Sequence, residues 1–254
     1  MLTRFAANSD FRTIATEPAF GEADGLPPVV MNLSDGSKAV IRGKIDRIDT
    51  WENGEGVWLR IVDNKSREKK PDPAKMETGE QLQLMIYLKA AANSMPDARI
   101  AGAMFFPVTD REVETAVDDP GKIEADRLNS SRMKGLVTAR EDVLRAMDRD
   151  ISPFSVDSVF NKDGSVSKSA PWAMEEEKLR GLMDAAVEKA GELCGRMRGG
   201  EIRATPGEDP AQSACRWCEY HAICRAGFRD GRAPDGETPE EDTAGKNTLR
   251  ENEN

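Results

Sequence analysis

The chain has no phosphate-cradling loop. The pattern Gly-x4-Gly-Lys-Ser/Thr occurs nowhere, so these residues contain no nucleotide-hydrolysing motor. Long apolar runs are missing too. The longest, such as Ala101 to Val108, are too short to cross a bilayer, and no amino-terminal stretch has the charged-then-apolar build of a secretory signal. A cytoplasmic location without a membrane role is therefore expected. Histidine occurs once and cysteine four times in 254 residues. Positive charge is outnumbered, 36 Lys and Arg against 46 Asp and Glu, and the net charge of −10 argues against a polyanionic partner unless the cations are gathered locally. They are gathered. Lys38, Arg42, Lys44, Arg47, Arg60, Lys65, Arg67, Lys69 and Lys70 fall in one stretch, whereas Glu237, Glu240, Glu241, Asp242, Glu251 and Glu253 crowd the end. A hydrophobic content of 38% is enough for one core.

Within the basic stretch, Ala39-Val40-Ile41 and Val57 to Val62 alternate as strands do, around a turn signal at Glu52 to Gly56. Asp63 and Lys65, two apart on a strand, project from the same face, and pairing with the preceding strand can bring Asp46 alongside. Two carboxylates held together repel unless a cation lies between them, and hard divalent ions prefer such oxygen ligands. A metal there, with an ammonium nearby, could hydrolyse a phosphodiester. Arg47 and Asp49 face away from Asp46 and are not expected to bind metal.

In these segments the chain resembles the PD-(D/E)XK nuclease superfamily, and within it the nuclease domain of AddB-type subunits of AddAB helicase-nucleases. The residues that carry this are Gly43-Lys44-Ile45-Asp46-Arg47-Ile48-Asp49, Asp63-Asn64-Lys65-Ser66, and Gln83-x3-Tyr87 behind Gly79 to Leu82. Glu17 to Gly21 is similar to the family's acidic segment ahead of its first strand, and Lys134 to Val137, continuing to Asp148, to its linker and helix. The resemblance implies Asp46 and Asp63 as magnesium ligands and Lys65 as the catalytic lysine. It also implies the Asn64 backbone carbonyl facing the metal, Glu17 as a candidate third ligand, and Gln83 and Tyr87 contacting DNA or bracing the site. Asn64 departs from the family, where an aromatic residue is usual. The implied role is a magnesium-dependent deoxyribonuclease, exonucleolytic on single strands leaving a helicase complex during double-strand break repair. Its implied partners are DNA, an AddA-type subunit and an upstream helicase-like region. Two alternatives remain open: a standalone Cas4-like exonuclease, and a catalytically silent DNA-binding or scaffold module.

Cys215, Cys218 and Cys224 follow Cys-x2-Cys-x5-Cys spacing. Thiolates at short spacing in an intracellular chain select iron–sulfur or zinc rather than disulfides. The spacing resembles the last three ligands of the AddB-type [4Fe-4S] cluster, whose fourth ligand lies upstream. No cysteine precedes Cys194. The fourth ligand is thus either missing or Cys194, which sits in an amphipathic run where a buried free thiol is common. Zinc, with Cys194 or the lone His221 as fourth ligand, is the competing reading. On this account the chain is expected to be a carboxy-terminal fragment, or a misassigned start in a longer reading frame.

The expected fold is α/β: a restriction-endonuclease-like core with a mixed sheet flanked by helices, a helical carboxy-terminal extension and a cysteine clasp. The pattern predicts strands at 38–49, 57–64 and 99–108 and helices at about 77–93, 139–148 and 174–198. A flexible exposed loop is expected from Arg67 to Pro73, a loop at Asp118 to Gly121 and a turn at Lys162 to Gly164. The nuclease domain is placed at 1–228, with the clasp at 201–228, and a disordered acidic tail at 229–254.

Overall fold

In the computed structural model, which describes residues 7–108, 120–149, 160–161, 166–167, 170–204 and 214–224, the apolar run at 57–62 becomes the centre of the sheet. It lies in β7 (Gly56–Lys65), which forms a hairpin with β6 (Arg47–Asn53) across the turn residues Gly54 and Glu55. Gly56 sits at φ 121, where a side chain would be strained, so a glycine closes this turn at little cost.

β1 (Arg12–Thr16), β8 (Arg99–Pro107), β9 (Lys134–Thr138) and β10 (Ala173–Met174) complete a six-stranded sheet in the order β1-β6-β7-β8-β9-β10. β7 and β8 are parallel, as are β9 and β10, and the other pairs are antiparallel. Parallel neighbours need a crossover. Here α1 (Pro73–Thr78) and α2 (Gln83–Ser94) supply it.

β7 is buried from Trp58 to Asp63 because both faces of the sheet are covered. On one face Leu59, Ile61, Ile100, Ala103 and Phe105 pack with Leu84, Met85 and Leu88 of α2 and with Leu179, Met183 and Ala186 of α5 (Glu176–Arg198). On the other, Trp58, Val62, Met104, Phe106 and Val137 pack with Val143, Leu144 and Met147 of α4 (Glu141–Met147). Truncating a fully buried side chain such as Leu88 would cost about 2–5 kcal/mol. Strands β8 and β9 approach so closely that a Cβ on Gly135 would collide with the Ala103 carbonyl oxygen.

Several boundaries differ from the sequence reading. The single strand expected at 38–49 is three strands. β4 (Lys38–Ile41) pairs with β3 (Val29–Asn32), β5 (Gly43–Lys44) pairs with β2 (Ala19–Phe20), and only β6 joins the main sheet. The break has a tertiary cause: the Ile45 N–H donates to the Pro18 carbonyl, continuing the pairing with β2 instead of joining the main sheet.

The expected helix at 77–93 is two helices. Asp72 caps α1 by accepting from the Ala74 and Lys75 amides, Pro73 fits its first turn, and Gly79 ends it at φ 92. The stretch Arg67 to Asp72 is the loop expected, exposed at Arg67, Glu68 and Lys70, but it is tied down at its centre. Pro71 is buried, and the buried Gln81 side chain donates to the Lys70 carbonyl (3.1 Å) and accepts from the Asp72 amide (2.7 Å).

Lys134 to Val137, expected as a linker, lies in β9, since Leu136 and Val137 complete the two cores. Pro120 and Gly121 open α3 (Pro120–Ser130) rather than a loop. β1 precedes Glu17, so that residue lies after the first strand instead of ahead of it.

The chain divides into two compact units, 1–201 and 202–254. In the second, the described residues form a 3₁₀ turn (Ala214–Trp217) and the short α6 (His221–Cys224), with Ile202, Trp217, Tyr220 and Ile223 exposed. The turn at Lys162 to Gly164 and the tail at 229–254 lie outside the described residues, as does the His221 side chain. Among the described residues no helix is long and apolar enough to cross a membrane.

Candidate active site

The ladder between β6 and β7 ends at the pair Arg47 and Val62, so the next residues, Asp46 and Asp63, stand opposite each other where the strands part. At that point a side chain takes over the ladder's role: Asp46 Oδ2 accepts the Asn64 amide at 2.6 Å. Behind it, the Glu17 amide donates to the Asp46 carbonyl at 2.9 Å. Asp46 is thus held from both sides.

Asp63 is 2% exposed and Lys65 follows on the same face. Lys65 Nζ lies 2.6 Å from Asp63 Oδ2 as an ion pair, although that buried oxygen has no donor at good hydrogen-bonding angles. Burial pushes the Asp63 carboxyl above the usual carboxylate range, Lys65 opposes the rise, and the neighbouring Asp46 carboxylate adds to it. Two facing carboxylates thus share one ion-paired ammonium, that of Lys65.

The helix α2 presents its first turn to this lysine. Gln83 Oε1 accepts from Lys65 Nζ at 2.9 Å, and Gln83 Nε2 donates to Tyr87 Oη at 3.0 Å. One helical turn separates the two, so the amide is fixed at both ends. Tyr87 packs edge-on against Phe20, their ring centroids 5.8 Å apart. Phe20 in turn fills the space beside Gly43, where a Cβ would meet its ring at 2.8 Å. The apolar floor of the site therefore depends on Gly43, the residue paired with Phe20 across β2 and β5.

Glu17 takes φ 51, uncommon for a residue with a side chain. Its amide supports Asp46, while its exposed carboxylate reaches Lys44 Nζ at 2.8 Å. That hydrogen bond and the lysine's charge hold the Glu17 carboxyl below its usual range. The structure thus brings together Asp46, Asp63, Asn64, Lys65, Gln83 and Tyr87, and turns the Glu17 side chain to Lys44.

Arg60 and Arg47, counted from sequence among the basic rim, belong elsewhere. Arg60, 3% exposed, donates to Asp49 at 2.9 Å on the opposite face, and Arg47 Nε lies 3.1 Å from the same carboxylate. An odd spacing along β7 separates Arg60 from Asp63 and so reverses its face. Two contributors were not marked as part of the site in the sequence: Phe20 and Phe105, whose ring lies 5.7 Å from Lys65 Nζ. Phe20 lay inside the Glu17 to Gly21 segment without a role of its own, and Phe105 signalled only its place in the apolar run from Ala101.

Two facing carboxylates, one with an orphaned buried oxygen, suit a hard divalent cation that keeps several of its waters. Asp46 and Asp63 would hold it, with the Asn64 carbonyl as a further oxygen. The cysteines present a different picture. Cys218 and Cys224 are exposed, Cys215 is half-buried, and Cys194 is half-buried on α5. Among the described residues no three His, Cys, Asp or Glu side chains converge as a metal-holding group.

The sequence profile of the PD-(D/E)XK nuclease superfamily matches residues 1–225. Among curated relatives, the B subunit of an ATP-dependent helicase/deoxyribonuclease from Moorella thermoacetica is 33% identical over 233 residues, covering 88% of this chain and 20% of the relative. Proteins of the same name from Thermoanaerobacter sp. (31% identical; 89% of this chain, 20% of the relative) and Clostridium tetani (32%; 89% and 20%) are similar. The chain spans about a fifth of the length of these relatives. With a matched profile over most of its length and the Asp46, Asp63 and Lys65 constellation at a strand end, the chain belongs to the PD-(D/E)XK nuclease superfamily.

Proposed function

We propose that this chain is a magnesium-dependent deoxyribonuclease domain that hydrolyses phosphodiesters of single-stranded DNA as it leaves a helicase, in double-strand break processing. The observation that carries the reading is the buried Asp63 carboxylate, set opposite Asp46 and beside the Lys65 ammonium. Asp46 and Asp63, with the Asn64 carbonyl, would hold the metal. When bound there, magnesium supplies Lewis-acid stabilisation of phosphate charge and a water of lowered pKa.

The chain's own groups do the rest. Lys65, fixed between Asp63 and Gln83, offsets charge on the scissile phosphate or orients the attacking water. Gln83 and Tyr87 keep that ammonium in one position, which is worth more to a displacement than a mobile cation would be. The exposed Asn64 leaves this end of β7 open to a polymer substrate.

The motor is expected on another polypeptide segment, since no phosphate-binding loop occurs in these residues and the relatives are named as subunits of a helicase/deoxyribonuclease. An AddA-type subunit is the proposed partner. A [4Fe-4S] cluster on Cys215, Cys218 and Cys224 is proposed from spacing alone, and needs those thiolates to draw together around iron. About four irons per chain on anaerobically purified protein would support it, and no iron would remove it.

The deciding assay measures cleavage of labelled single-stranded DNA with magnesium and with chelator. Cleavage should require the metal and vanish in Asp63→Ala while DNA binding persists. Undiminished cleavage by that variant would overturn the site.

A further inference from the structure

Lys69 lies on the stretch joining β7 to α1, and unlike its neighbours it is drawn inward. Its Nζ is 4.9 Å from the centroid of the Phe105 ring, which Lys65 Nζ also approaches, at 5.7 Å. Phe105 is 1% exposed and pairs across the sheet with Asp63. A second ammonium therefore stands at the edge of the site on the same aromatic platform as the first. Among the described residues, Lys69 makes no ion pair with a carboxylate, in contrast to Lys44, Lys65, Lys89, Lys134 and Lys189.

Its position is enforced. Gln81 bonds the backbone on both sides of the buried Pro71, at Lys70 and Asp72, and Glu68 pairs with Lys134. Burial disfavours the charged form of Lys69, the charges of Lys65 and Lys75 act in the same direction, and Asp63 only partly offsets them. A half-buried cation with cationic neighbours and a single ring for company is costly unless an anion reaches it. Among the described residues, no carboxylate comes within ion-pairing distance of it.

Resting on the nuclease reading above, the geometry points to Lys69 as a contact for a phosphate of the bound strand, with Lys65 acting at the scissile phosphate and Lys69 clamping that group or the next one along. Lysine suits this use, being a compact point charge that any phosphate along a backbone satisfies without regard to sequence.

The test uses the full chain and a labelled oligothymidylate, with binding followed by anisotropy in chelator over a salt series and cleavage followed in magnesium. Lys69→Gln should weaken binding about tenfold and reduce the slope of log affinity against log salt by about 0.7, the loss of one single-strand phosphate contact. Lys69→Arg should restore the slope. The melting temperature of Lys69→Gln should equal or exceed that of the parent, so that a folding defect cannot produce the result. An unchanged salt slope in a folded Lys69→Gln protein would overturn the assignment. The two readings fail separately: cleavage surviving in Asp63→Ala removes the nuclease site, whereas a dead Asp63→Ala with an unaltered slope in Lys69→Gln removes only the Lys69 clamp.

Discussion

Asp49 and Asp63 are both aspartates buried in the β6–β7 hairpin, 1% and 2% exposed, on opposite faces of the same sheet. Their surroundings differ in the carboxylate's own donors, although Arg60 Nη1 and Arg47 Nε beside Asp49 are also buried without a hydrogen-bond partner. Asp49 accepts from Thr13 Oγ1 at 2.8 Å and Arg60 Nε at 2.9 Å, and Arg47 Nε stands 3.1 Å away; Arg60 is itself covered by the Phe11 ring at 4.4 Å. Asp63 has one ammonium, at a poor angle, and a second carboxylate as a neighbour. A buried charge that only stabilises a fold is surrounded by donors, because any shortfall is a direct loss of stability. The shortfall at Asp63 marks the face where something from solution is needed.

The comparison is broken most severely by truncating each aspartate in turn. Asp63→Ala should lower the cleavage rate at least about a thousandfold while leaving the fold intact, read by circular dichroism alongside the activity assay. Asp49→Ala should do the reverse. Removing it strands the buried Arg60 guanidinium, at a cost of about 3–5 kcal/mol measured by denaturant unfolding, and any activity loss should track the unfolded fraction. If Asp63→Ala unfolds the protein and Asp49→Ala kills catalysis in folded protein, the two roles have been assigned to the wrong residues.

A sharper probe is Gln83→Ala, which leaves both aspartates in place but frees the Lys65 ammonium from its second partner. We expect turnover to fall about tenfold to a hundredfold with little change in KM, since a loosely held cation is present but mispositioned. A rise in KM at constant turnover would instead make Gln83 a uniform DNA contact.

Much of this site was legible in sequence because its geometry is local. The alternation of β7 fixes Asp63 and Lys65 on one face, and the four-residue step from Gln83 to Tyr87 fixes one helix turn. What could not be read depends on distant partners. Glu17 looks like a ligand until the amide bond to Asp46 and the pairing with Lys44 set its direction. The run at 38–49 looks like one strand until Pro18 captures the Ile45 amide. Arg60 looks like a rim cation because its partner, Asp49, lies eleven residues back across the hairpin. Lys69 looks solvated because the glutamine that pins its loop belongs to the turn before α2. The Asp72-Pro73 cap and the Gly79 stop were readable, and would have divided the helix correctly.

The smallest effect concerns a carboxylate that sits with Asp49 on the satisfied side of the comparison. Glu176 opens α5 and ties it to the start of β8. Burial pushes its carboxyl up, but the Ile100 amide and the Arg180 and Arg99 guanidiniums outweigh that and hold it below the usual range. A carboxyl lowered in the folded state contributes stability that is fully present above its unfolded value, near 4.5, and is lost as pH falls through the folded value. Glu176→Gln should therefore lower stability by no more than about 1 kcal/mol at neutral pH, given the partial exposure of its partners. The gap between variant and parent melting temperatures should close as pH drops below 4.5. A gap that stayed constant or widened in acid would show that Glu176 acts through shape rather than charge.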